Sequence, residues 1–275
     1  MRIFIATIED PLVTNDFIKE IMEAKKDEIV GISISEHGQF KTRKSRKDVN
    51  YVLALLIIAG VRATTKKVLK YLLVKVKKII KAFRQDYDTG SIEDYARKLN
   101  IPVWKVSSLN DKEFIKTLRK LEPDVIIHQT EEIVKKDFIN SANICVLNRH
   151  NSLLPKYRGR LAPFWALFNG EKETGVTIHT VDTKIDGGQI ILQEKIMIKP
   201  DDDYVSITEK CYELAPKLMI RALELLENGI FQEREKKDVM GKGSYYSIPR
   251  LSDAIRYRKT LKKRKKRMGE NESII

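Results

Sequence analysis

Cysteine is scarce in this sequence: Cys145 and Cys211 are the only two among 275 residues. That excludes a disulfide-stapled secreted scaffold, and thiols on a predicted buried strand and a predicted helix read as reduced core groups of a cytoplasmic protein. Histidine is sparse too, with four, and no spacing among these six residues matches a metal site, so no metal is expected. Long apolar runs are missing. The longest, YVLALLIIAGV at 51–61, has eleven residues where about 20 are needed to span a bilayer, so no transmembrane segment is expected. The opening MRIFIATIED meets acids at positions 9 and 10, too soon for a signal peptide, and reads as a first strand. There is no internal repeat.

What is present is a soluble globular composition, 42% hydrophobic and 33% charged, in a chain long enough to bury a substantial core. Strand patterns at 2–8, 28–35, 102–106, 124–128 and 144–149 alternate with helical patterns at 16–25, 92–99 and 131–140, and with a helix ending near Leu121 that Asn110 and Glu113 are expected to cap. A helix at 162–169, a hairpin near 175–182 and 189–198, and a long amphipathic helix at 203–228 follow. Alternation of this kind predicts an α/β fold with a Rossmann-like, doubly wound, mostly parallel sheet, a helical basic insertion at 38–90 and a short C-terminal extension.

The segment NRHNSLLPKYRG, followed after 26 residues by DGG, carries the chemistry. On an extended strand, positions i and i+2 share a face, so Asn148 and His150 converge at the carboxyl end of the strand, where open α/β sheets place ligand crevices. Asp186 follows a second apolar strand in a turn closed by Gly187 and Gly188, from which a carboxylate can face an imidazole. An amide and a protonated imidazole suit a developing oxyanion, and a carboxylate suits the departing proton. Together they form a polar apparatus for acyl transfer.

At these residues the chain resembles the folate-dependent formyltransferases, a family that includes methionyl-tRNA, glycinamide ribonucleotide and sugar-nucleotide N-formyltransferases. The family signature Asn-x-His-x-Ser-Leu-Leu-Pro-x-x-x-Gly is present as Asn148, His150, Ser152, Leu153, Leu154, Pro155 and Gly159, and the catalytic Asp matches Asp186. The resemblance implies 10-formyltetrahydrofolate as donor and Asn148, His150 and Asp186 as catalytic residues. It implies a pterin held near Val125, Ile126, Ile127, His128 and Gln129 and by the loop carrying Asp182 and Gly187. Ser152, Leu153, Leu154, Pro155, Arg158 and Gly159 would face the acceptor substrate. His128 and His179 are expected either in the pterin pocket or as satisfied strand histidines. The catalytic domain is expected over 1–229 and the extension over 230–275.

The acceptor is less defined. IEDPLVTND replaces the Gly-Ser-rich phosphate loop of the glycinamide ribonucleotide branch, whereas KTRKSRKDVN stands where the methionyl-tRNA branch carries a basic insertion. Only 46 residues follow Gly229, so the C-terminal β-barrel of that branch is expected to be absent or replaced. Tyr245 and Tyr246 suit a nucleotide base, as in the sugar-nucleotide branch, or equally a strand closing on the core. An amino-sugar nucleotide and an aminoacyl-tRNA both stay open as acceptors. A 10-formyltetrahydrofolate hydrolase, or a catalytically silent fold that binds RNA or membrane, are the alternatives.

Charge is confined to two segments. Residues 41–84 carry a net +13 and 250–267 a net +9, leaving the remainder at −8 against a total of +14. Both segments suit nucleic acid or an anionic membrane surface. Val68, Leu69, Leu72, Val76, Ile79 and Ile80 recur at helical spacing among lysines, and such a stripe is expected to pack on the protein. The run from Arg256 to Ile275 is expected to be a frayed, solvated tail.

Overall fold

An unbroken apolar run forms a strand covered on both faces. IFIATI does so as β1 (Ile3–Ile8), buried at every position. The computed structural model describes residues 1–11, 13–35, 46–84, 88–229 and 243–272, the side chains of 46–48, 67, 78 and 264–272 excepted. The basic run at 41–45 and the stretch 230–242, with the expected boundary at its start, lie outside the described residues.

Around β1 a seven-stranded sheet takes the order β3-β2-β1-β4-β5-β7-β8, built from β2 (Ile29–Ser35), β3 (Val103–Val106), β4 (Val125–Gln129), β5 (Cys145–His150), β7 (Glu173–Thr180) and β8 (Ile190–Met197). The pairs from β3 through β5 are parallel, and β5–β7 and β7–β8 are antiparallel. The expected doubly wound, mostly parallel sheet is therefore the observed one. The chain winds outward from β1 in one direction to β3 and in the other from β4, so the carboxyl ends of β1 and β4 part at a topological switch point where a crevice opens.

Alternation decides which layer each residue joins. Ile3 and Ile5 pack with α1 (Thr14–Ala24), α4 (Ile92–Lys98), α7 (Ala162–Phe168) and α8 (Tyr204–Glu227), while Phe4, Ala6 and Ile126 pack on the opposite face against α5 (Lys112–Lys120) and α6 (Lys136–Ile139). Each such side chain, fully buried, contributes about 1.5–3 kcal/mol. Asp203 caps α8 reciprocally with Ser206, fixing the helix start at the predicted place.

Four expectations are corrected. Asp111, not Asn110, caps α5 by accepting from the Phe114 N–H, because the Asn110 amide is spent on Glu132 and the Ile133 and Lys135 backbone. The helix expected at 131–140 shrinks to α6, leaving 130–134 beside the crevice. The insertion forms α2 (Arg46–Ala59) and α3 (Val61–Phe83), and the stripe of α3 is not packed on the protein: Leu69 is 61% and Ile79 60% exposed. The frayed tail is instead α9 (Leu251–Glu272), whose Ala254, Tyr257 and Leu261 are buried in the main core against α2, with the Tyr257 hydroxyl accepting from the Tyr204 N–H. Basic composition masked the i, i+3, i+7 spacing of those three residues, which was enough to dock a helix.

Candidate active site

Register brings the polar residues together. His128 on β4 lies opposite Asn148 on β5, and Asn148 lies opposite His179 on β7, so three chemistry-bearing side chains cross adjacent strands in a row. Their ends border a cleft of about 1200 Å³ that also reaches Glu9, Gly159, Asp186 and the loop Val181–Ile185. Its far wall comes from Tyr51, Leu55 and Leu56 of α2 and Val68 and Tyr71 of α3.

The Asn148 amide is oriented by its neighbours. Its Oδ1 accepts from Gln129 Nε2 at 2.7 Å, Gln129 Oε1 accepts from Arg149 Nε at 3.0 Å, and the Arg149 guanidinium lies 4.1 Å from the Tyr212 ring centroid. With its oxygen engaged, Asn148 is left to donate through Nδ2. Arg149 went unremarked in the sequence because it sits between the two signature residues and its role needs Tyr212, 63 positions away. Gln129→Glu removes the donor that fixes this amide. We expect kcat to fall roughly tenfold to a hundredfold, the scale for residues that orient a reacting group. Unchanged kcat in steady-state assays counts against this role.

His150 is buried, and its Nε2 lies 2.7 Å from the Tyr157 carbonyl, which only accepts, so Nε2 carries a proton. Nδ1 is therefore the nitrogen that can gain or lose one, and it lies 3.6 Å from Asp186 Oδ2. That separation is too long for a direct hydrogen bond and leaves the two groups to meet through a shared reactant or water. Asp186 has φ +48 in the turn, and its Oδ2 accepts from the Gly159 N–H at 2.8 Å. Its Oδ1 lies 3.8 Å from His179 Nε2. One carboxylate thus stands between two imidazoles whose centroids are 6.4 Å apart. Gly188 lets this turn close on β7: a Cβ there would meet the Thr180 carbonyl oxygen at 1.7 Å.

His179 and His128 are neutral. Burial is the main cause, pushing each imidazole down to about 4, with Asp186 opposing the shift at His179 and Glu132 at His128. His128 stays uncharged in the fold but charges in the unfolded chain, so the unfolded state binds more protons between about pH 6.5 and 4 and stability falls as pH is lowered through that window. We expect its share of that loss to be about 3 kcal/mol, and His128→Gln to flatten the dependence of unfolding free energy on pH between those limits in denaturant titrations. An unaltered slope would show that His128 charges in place.

The structure sorts the remaining expected site residues. His128, Gln129, Asp182 and Gly159 border the cleft, and Gly187 lies in its loop, donating from its N–H to the Lys184 carbonyl. Val125, Ile126 and Ile127 do not border it: they are wholly buried in the middle of β4, with backbones paired to β1 and β5. Ser152, Leu153, Leu154 and Pro155 are not cleft residues either. Ser152 is fully buried and donates to the Lys156 carbonyl, Leu154 is core, and Gln193 holds the Leu154 carbonyl, so this segment is the shelf that carries His150. Arg158 and Gly159 form β6, which pairs with β9 (Tyr245–Tyr246). Tyr246 closes on the core between Tyr157 and Trp165, whereas Tyr245 is exposed and borders the cleft.

His179 Nε2 and His128 Nδ1 are buried without hydrogen-bond partners, and Ile8, Val134 and Ile185 add apolar walls to the cleft.

Known proteins bear out this architecture. Methionyl-tRNA formyltransferases of Kosmotoga olearia and Pelotomaculum thermopropionicum are 39% and 36% identical over 139 and 140 residues, half of this chain and 45% of each relative, so the chain matches less than half their length. Among solved structures, glycinamide ribonucleotide transformylase 1 from Symbiobacterium toebii superposes with a TM-score of 0.60 at 14% identity, covering 86% of this chain and 92% of its own. An N-formyltransferase from Helicobacter canadensis, in complex with folinic acid and dTDP-3-aminofucose, gives 0.56 at 17% identity over 90% and 71%. At such identities these two show a shared fold. The formyl transferase family matches residues 14–223, a span that takes in Asn148, His150 and Asp186 and every strand of the seven-stranded sheet after the first, and the chain belongs to that family.

Proposed function

We propose that this chain is an N-formyltransferase moving a formyl group from 10-formyltetrahydrofolate to a primary amine. The observation that supports it is the meeting of the Asn148 amide, the His150 Nδ1 and the Asp186 carboxylate at one cleft at the switch point of the sheet. The donor, when bound, supplies an activated formyl carbon. His128, Gln129, Asp182 and Gly187 would hold it, with the neutral imidazoles of His128 and His179 accepting from its ring. Asn148 Nδ2 and a proton on His150 Nδ1 donate to the carbonyl oxygen as it gains charge. Asp186, fixed by the Gly159 N–H, faces His150 Nδ1 and would take the amine proton directly or through one water; as the bond between the formyl carbon and the tetrahydrofolate nitrogen breaks, that nitrogen would receive the proton and leave as the amine of the product folate. Residues 1–229 would carry the catalytic groups of a cytoplasmic enzyme, with 230–275 as an extension whose β9 and α9 pack back onto them.

The acceptor is an amino-sugar nucleotide or an aminoacyl-tRNA. The exposed Tyr245 beside the cleft suits a stacked base, and the basic segments 41–84 and 250–267 suit tRNA or an anionic membrane. Formyl transfer from 10-formyltetrahydrofolate, followed by mass spectrometry against charged initiator tRNA and a panel of amino-sugar nucleotides, tests the reading. We expect a formamide on one acceptor class. Release of formate alone would make the chain a hydrolase, and no turnover with any acceptor would overturn the proposal.

A further inference from the structure

Thirteen of the twenty exposed large apolar side chains among the described residues lie on α2 and α3. On α3 they form one face: Leu69, Leu72, Val76, Ile79 and Phe83 recur at spacings of three and four, and Phe83 is 86% exposed. The body holds this helix by its polar side. Lys70 reaches Asp16 of α1 at 4.0 Å and Lys81 pairs with the buried Asp94 of α4, so these two lysines face the protein, while Lys66, Lys75 and Lys77 stay exposed beside the outward apolar stripe. Val61–Phe83 contains eight Lys or Arg and no Asp or Glu.

From this arrangement we infer that α2 and α3 seat the protein on an anionic lipid bilayer, α3 lying in the interface with its apolar face among the acyl chains and its outer lysines at the headgroups. The charge selects this occupant. A second copy would bring two acid-free helices together, and a nucleic acid would pair the lysines but leave the stripe in water; a bilayer with anionic headgroups satisfies both. No helix of the described residues is long and apolar enough to cross a membrane, so the helix lies on the surface. The apolar surface continues into the cleft, because Leu56 and Val68 are both exposed outside and part of its wall. The catalytic cleft therefore opens beside the lipid surface, where it takes an amino sugar carried on a lipid anchor as well as one carried on a nucleotide. This last point rests on the formyl-transfer reading.

The test uses the full chain and the variant Leu69→Glu/Leu72→Glu/Val76→Glu, whose three positions are solvent-facing and outside the cleft. Co-sedimentation with phosphatidylcholine vesicles is compared with phosphatidylcholine–phosphatidylglycerol vesicles. We expect roughly tenfold or greater preference for the anionic vesicles, weakened by salt, and its loss in the variant with an unchanged unfolding midpoint. Equal partition to both vesicles, a variant that binds like the parent, or a dimer in sedimentation velocity that the variant splits would each overturn the docking. Next, an amino sugar joined through phosphate to a long alkyl chain in the same vesicles is compared with the same sugar as a soluble nucleotide. A higher kcat/KM for the vesicle-borne amine, lost in the variant, supports the acceptor route, and equal or lower efficiency overturns it. Partition requires no turnover, so bilayer binding without transfer to either amine would sink the amino-sugar acceptor and leave the docking standing.

Discussion

Asp186→Asn lowers kcat by roughly a hundred- to ten-thousandfold in the expected result, with KM little changed. The substitution keeps size and shape, and its carbonyl oxygen still accepts the Gly159 N–H that the carboxylate now receives at 2.8 Å, so the turn should survive. What disappears is charge. A neutral amide puts no charge beside His150 Nδ1 and cannot take a proton from the attacking amine. Matched circular dichroism and unfolding midpoints, followed by separate measurement of kcat and KM with the acceptor found by the panel, check this. A kcat within a few-fold of the parent would remove Asp186 from the chemistry.

The second large effect is at Asn148. Truncation to Ala removes one of the two donors proposed to meet the developing oxyanion, a loss of about 2.7–4 kcal/mol or a hundred- to thousandfold in kcat. Asn148→Asp gives the sharper comparison. It keeps an oxygen for Gln129 Nε2 and so retains the Arg149–Gln129 chain, but it offers no donor toward the cleft and adds a negative charge where charge develops. We expect Asp to be at least as damaging as Ala. If Asp retained most of the activity while Ala did not, Asn148 would be a scaffold for Gln129 rather than a donor.

The sequence disclosed the parts of this molecule governed by short-range periodicity. Six buried positions in a row marked β1, the i, i+2 spacing placed Asn148 and His150 on one face, and the Asp-Gly-Gly turn put a carboxylate near them. It was opaque where long-range packing decides. Nothing in DVIIH distinguishes strand residues that reach a crevice from those enclosed by neighbours on both sides, and only the last two residues of β4 reach it. The signature SLLP lies beside His150, yet its Ser152 and Leu154 are buried, and Thr177 and Gln193 hold its backbone. The apolar stripe of α3 was legible as a stripe, but not the direction it faces, because Asp16 and Asp94, far apart in sequence, turn Lys70 and Lys81 inward.

The pairing of β6 with β9 has a consequence for the order of assembly. Gly159, which clamps Asp186 through its N–H, is itself held by Tyr246: the Arg160 N–H donates to the Tyr246 carbonyl, and the two short strands run side by side. During synthesis Asn148, His150 and Asp186 are all present once residue 186 has emerged, yet the strand that steadies the Gly159 clamp arrives about sixty residues later. A nascent chain therefore carries Asn148, His150 and Asp186 before it carries the strand that steadies the Gly159 clamp, and the geometry of the site is deferred until residue 246 has been made.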